Sequence, residues 1–125
     1  MDRTFLLLAS IFGGLAVALG AFGAHGLESK LSEAAMSTYH TAVQYQFYHA
    51  LALIGVAFAI SRWPGSSGLA NAAGWLFVAG ILIFSGSLYI LVMTDTRWLG
   101  AITPFGGVAF IVGWILLGVA AWRGA

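Results

Sequence analysis

His25 and His49 are the side chains of this 125-residue chain best suited to chemistry. Neutral imidazole can ligate a metal or haem, or hydrogen-bond a quinone carbonyl. His49 ends a polar run, Gln44-Tyr45-Gln46-Phe47-Tyr48-His49, and Ser85-Gly86-Ser87 with Tyr89 supplies further hydroxyls. The pattern falls short of any complete catalytic or metal-binding motif. There is no His-Glu-x-x-His, no Gly-x-Ser-x-Gly and no cysteine, so zincin, serine-hydrolase and thiolate chemistry all lack their parts. Glu28 and Glu33 fall in a connecting region, and no carboxylate lies inside an apolar stretch to complete a triad or relay protons. The residues therefore predict no enzyme and no resident cofactor. A metal is left open only at His25 and His49.

The elements that position these groups are four apolar stretches, each long enough to cross a bilayer. The chain is 61% hydrophobic and 7% charged, whereas a soluble domain carries about a quarter of its residues charged. The expected fold is all-α, an integral membrane four-helix bundle forming one transmembrane domain over residues 1–125, with helices near 4–24, 32–61, 69–93 and 104–122. The first resembles a secretory signal at its start, but its apolar run continues to Ala24, which predicts a retained helix. Its Ala9–Gly13 and Ala16–Gly20–Ala24 spacings predict a close-packing face. Ser32 with Glu33 predicts the capped start of the second helix, and Arg62-Trp63-Pro64-Gly65 its end. Thr103-Pro104 predicts an N-cap followed by proline at the first position of the fourth helix.

Depth along the helices gathers His25, Gln44, Tyr45, Gln46, Tyr48, His49, Ser85, Ser87, Tyr89 and Thr103 into the half of the bundle opposite the termini. The other half is expected to be almost wholly apolar. On a helical wheel Thr38, Ala42, Tyr45, Gln46, His49, Leu53 and Val56 share one face, with His40, Gln44 and Phe47 opposite. A buried, unpaired amide costs about 2–7 kcal/mol, so Gln46 and His49 should point inward and find partners. Candidates are His25, Ser85, Ser87, Tyr89 and the carbonyls near Gly106-Gly107. Such a layer has two readings: interhelical hydrogen bonds that fix register, each contributing about 0.6 kcal/mol, or a site for a metal, quinone or other small ligand. Trp63, Trp98 and Trp122 read as interfacial anchors, and Trp114 as a packing or lipid-facing ring.

Charge adds two expectations. The five basic and four acidic residues are scattered without a basic patch, which argues against nucleic acid and leaves the lipid bilayer as the main partner. Four helices put both termini on one side with Arg3, Arg62 and Arg123, against Lys30 and Arg97, and the excess predicts cytoplasmic termini. Glycine-rich faces leave a homo-oligomer or a larger membrane complex open.

Gly20-Ala-Phe-Gly-Ala-His-Gly-Leu27, the segment from Thr41 to Leu53, Phe84-Ser-Gly-Ser-Leu-Tyr89 and Leu99-Gly-Ala-Ile-Thr-Pro-Phe-Gly-Gly107 together resemble the YgdD-like small membrane proteins of unknown function. The resemblance implies a four-helix protein of the bacterial inner membrane, and no activity, substrate or cofactor. Taken together, the expected function is that of a multi-pass membrane protein without catalytic machinery, an accessory, assembly or structural component. The alternative is a binding or transfer protein that uses the polar layer.

Overall fold

A computed structural model describes residues 2–124. Helix α1 spans Asp2–Phe22 and continues through a π turn, Gly23–Leu27. Helix α2 is Glu33–Arg62, whose 30 residues make a rod of roughly 45 Å. Helices α3 (Ser67–Gly80) and α4 (Gly86–Thr94) form one rod, joined by a second π turn at Ile81–Ser85. After a short 3-10 turn at Arg97–Ala101, α5 runs from Thr103 to Arg123. The four rods, Asp2–Leu27, Glu33–Arg62, Pro64–Thr94 and Arg97–Arg123, are each long and apolar enough to span a bilayer.

Several ends form as their residues dictate. The Ser32 hydroxyl accepts the Ala35 N–H at 3.1 Å, capping α2. At the far end, Arg62 lies over the Trp63 ring, 5.9 Å from its centroid, and Pro64 opens the next turn. Asp95, in the left-handed region at φ 54°, terminates α4. The first rod runs past Ala24, because nothing there breaks the helix and the Glu28 N–H reaches back to the Gly23 carbonyl at 3.0 Å. Thr103 differs from expectation: Ile102 takes the N-cap position, and the threonine hydroxyl is engaged elsewhere.

Helix α2 is the hub. It packs against α1 on one side and against α3, the second π turn and α4 on the other, while α5 lies chiefly against α3. On α1, Ala9, Gly13, Ala16, Gly20, Gly23 and Leu27 recur at alternating four- and three-residue steps. The Ala50 and Val43 side chains of α2 approach Gly13 and Gly20. Small residues let two backbones come close where lipid supplies no hydrophobic drive between helices. Ala24, expected on this face, is exposed, because Gly23 holds the next place in the series. Between α3 and α5 the device is different: aromatic rings enter glycine notches, Phe77 at Gly113 and Phe110 at Gly80. At Gly106 the neighbour is backbone: an added Cβ would lie 2.5 Å from the Phe84 nitrogen and 2.8 Å from its Cα.

Candidate functional site

Two residues one helical turn apart on α2, Gln46 and His49, organise the interior. Both belong to the buried series Tyr39, Ala42, Gln46, His49, Leu53 and Val56, spaced three and four residues apart so that all face the bundle. Gln46, only 3% exposed, uses both ends of its amide. Its Nε2 donates to the Phe12 carbonyl of α1 at 2.8 Å, and its Oε1 accepts the Tyr89 hydroxyl of α4 at 2.7 Å. One side chain thus ties three helices together. The Tyr89 ring packs on Tyr39, centroids 5.7 Å apart, and the Tyr39 hydroxyl donates to the Leu19 carbonyl.

His49 is held at both ring nitrogens. Nδ1 lies 2.8 Å from the Tyr45 carbonyl, which can only accept, so Nδ1 carries the hydrogen. Nε2 lies 3.0 Å from the Trp114 indole nitrogen, which can only donate, so Nε2 is the acceptor. Both neighbours demand the same neutral tautomer. The ring is stacked on Phe110, centroids 3.6 Å apart and planes 11° apart, with Phe77 at 5.4 Å.

Two hydroxyl contacts complete the layer. The fully buried Ser85 ends the second π turn and donates to the Ala42 carbonyl of α2 at 2.7 Å. Ser87 on α4 and Thr103 on α5 share a 2.6 Å hydrogen bond, each also within reach of a carbonyl on its own helix, Phe84 at 3.0 Å and Leu99 at 3.2 Å. Polar groups otherwise unsatisfied in lipid are therefore paired across helices.

The candidates read from the sequence divide accordingly. Gln46 and Tyr89 meet each other, while His49, Ser85 and Ser87 each bond a different partner. Tyr45 lies at the edge, 38% exposed, and contributes its ring, stacked 4.7 Å from Phe84. His25 does not join them. It is exposed, because it lies two residues from both Gly23 and Leu27 and two residues turn a side chain to the opposite face of a helix. The pairing of His25 with His49 is thereby removed. Among the described residues no group of three or more His, Cys, Asp or Glu is placed to hold a metal ion. The depth also shifts: Gln46 bonds Phe12 in the body of α1, and Trp114 is the twelfth residue of the 21-residue α5, so these contacts lie mid-rod.

Four participants escaped the sequence reading. Tyr39 carried a usable signal, three residues before Ala42 on the inward series. Trp114 lies four residues beyond Phe110, but no pattern announces that its N–H turns to a histidine. The stacking of Phe110 on that histidine was equally silent. Asn71 interrupts the half expected to be apolar. Its amide donates to the Ser67 carbonyl at 2.8 Å, and its buried Oδ1 has no protein partner.

With this geometry in place, comparison with known proteins settles kinship. The family model described as "Protein of unknown function (DUF423)" matches residues 19–107, more than half of the chain. The chain belongs to the DUF423 family. The matched segment holds every hydrogen-bonded side chain of the layer except Trp114, and it also excludes Phe12, whose carbonyl accepts from Gln46. Among curated relatives, a UPF0382 membrane protein of Bacillus subtilis, YwdK, is 55% identical over 119 residues, covering 95% of this chain and 96% of the relative. A UPF0382 membrane protein of Staphylococcus aureus is 48% identical over 122 residues, covering 97% of each chain. A third, from Staphylococcus epidermidis, is 49% identical over 119 residues, covering 94% of each. No solved structure matches. The DUF423 chain described here is thus a multi-pass membrane protein of an uncharacterised bacterial family, embedded in the lipid bilayer.

Proposed function

We propose that this protein is a non-enzymatic, rigid four-helix component of the bacterial inner membrane that serves a larger complex as an accessory or assembly partner. The observation that carries the reading is the closure of the polar layer on itself. Gln46, His49, Ser85, Ser87 and Thr103 all use their polar atoms on other parts of the bundle. Polar groups engaged this way fix helix register instead of standing free as a nucleophile or base. The same proposal includes kinship with the YgdD-like proteins and cytoplasmic termini, favoured by Arg3, Arg62 and Arg123 at that end of the bundle. Affinity capture of the tagged chain from its native membrane in mild detergent should return a reproducible partner at near-stoichiometric yield. Repeated recovery of the protein alone counts against the assembly role. Labelling single cysteines at positions 63 and 98 from one side of sealed vesicles checks the topology.

The ligand-binding alternative has one observation in its favour. A single residue, Trp114, covers the His49 Nε2 lone pair, and its ring is 48% exposed. Swinging that indole aside would present an acceptor nitrogen to a metal ion or a quinol hydroxyl arriving from the lipid. Stoichiometric metal or quinone in the purified protein, lost in His49→Ala, would replace the scaffold reading with this one.

A further inference from the structure

Gln44 turns its amide away from the bundle interior. It lies on the exposed side of α2, opposite Gln46 and His49, and among the described residues nothing hydrogen-bonds its amide. It adjoins Ala16 and Val17 of α1 on one side, and on the other it borders a polar hollow lined by Glu28, Glu33, Ser37, His40 and Thr41. Its two N–H groups and carbonyl therefore lie where the apolar seam meets that hollow, without a partner in the bundle.

The surroundings of Gln44 have the form of a helix-pairing seam. Thr41, Gln44, Tyr48, Leu51, Gly55 and Phe58 recur at alternating three- and four-residue steps, the 3.5-residue period that keeps one stripe facing a partner helix. From Gln44 onward all are exposed: Tyr48 by 52%, Leu51 by 50% and Phe58 by 60%. Nothing lies within 4 Å of where a Cβ on Gly55 would stand, so a second backbone can approach there. Beside the amide a groove of about 200 Å³ runs between Ala16–Val17 and Phe47–Tyr48, open to receive an aromatic side chain.

We infer that this seam is a self-association surface, and that its occupant is α2 of a second copy of this chain, related by a two-fold axis along the membrane normal. Copies inserted by the same route share one orientation, so a residue at a seam position meets its own counterpart at the same level. A primary amide is the side chain suited to that arrangement, since it both donates and accepts and Gln44 can pair reciprocally with the copy's Gln44. Polar positions at one end of the seam, Thr41, Gln44 and Tyr48, with apolar positions beyond them also help to fix register, as polar residues do in coiled coils. Headgroups or water reaching the amide, or a different membrane protein on the seam, are the competing occupants.

The chain has no cysteine, so single introduced thiols report proximity cleanly. Tyr48→Cys and Leu51→Cys on the seam are compared with Ile90→Cys, equally exposed on α4, after mild oxidation in native membranes. Disulfides need Cα atoms within about 7 Å, so both seam variants should give a band at twice the chain mass, about fivefold above the α4 control. In the Leu51→Cys background, Gln44→Leu should lower that yield about threefold or more, and Gln44→Asn should keep most of it. Equal yields from the seam and α4 thiols overturn the proposal, as does a product whose mass includes a different protein. An unchanged yield in Gln44→Leu overturns it equally. The seam thiols leave Gln44 intact, so the first comparison does not depend on how that variant folds. None of these outcomes depends on whether a larger complex is captured.

Discussion

The two ends of this bundle are held by different means. Near the termini, α1, α2, α3 and α5 meet through shape: Phe5 seats at Gly74, and Ala59, Ala70 and Ala120 pack together, each 3% exposed or less. From the middle to the connecting turns, directional bonds take over, through Gln46, His49, Ser85 and the Ser87–Thr103 pair. In lipid the helices gain little from hiding apolar surface, because the solvent is equally apolar. Close packing then supplies the attraction, while hydrogen bonds choose among packings that are similarly tight. The first end contributes strength and the second contributes specificity.

That division can be tested by substitutions ranked by expected effect. The largest should come from Gly106→Leu, since its Cβ would meet the backbone of Phe84 rather than a side chain that can swing away. Overpacking against a fixed backbone should cost about 3 kcal/mol or more, seen as failure to recover folded protein from the membrane. Next is Phe5→Ala in the shape-packed region, which empties a fully buried ring site at Gly74. It should lower unfolding free energy by about 3 kcal/mol in a bicelle steric-trapping measurement. A cost under about 1 kcal/mol would show that the terminal end relies on more than packing.

Gln46→Leu should cost less, about 1–1.5 kcal/mol, because it strands the Tyr89 hydroxyl and the Phe12 carbonyl while keeping the volume. A double-mutant cycle with Tyr89→Phe should return a coupling of about 0.6 kcal/mol, and a coupling of zero would remove the specificity argument from that bond. The smallest effect belongs to Asn71→Leu. One amide end there is bonded and the other is buried without a protein partner, so the change should fall within about 0.5 kcal/mol of zero. A large loss at Asn71 would mean that the terminal end also has a polar lock.

Much of this arrangement was legible in the residues. Four spans followed from apolar length, and the inward turn of Gln46 and His49 followed from the wheel that also placed Ala42, Leu53 and Val56 inside. Partners were another matter. Depth alone placed His25 beside the layer, whereas its rotation about the helix turned it outward. Ser85 and Thr103 showed hydroxyls at a suitable depth, but their acceptors depend on tertiary placement that no local pattern encodes. Trp114 shows the limit most plainly: a tryptophan deep in an apolar helix reads as bulk, and only the position of His49 on another helix gives its N–H a purpose.

The π turn at Ile81–Ser85 has a consequence for which sequence changes this fold can absorb. By holding one more residue than α geometry needs, it sets the rotational phase of everything in α4. An ordinary α turn holding the same residues would swing Gly86–Thr94 by about 100°. Ser87 would leave Thr103 and Tyr89 would leave Gln46 in the same movement. Loss of one residue within this turn should therefore be absorbed as regular helix, whereas the same deletion within Ser67–Gly80 would pull both bonds apart.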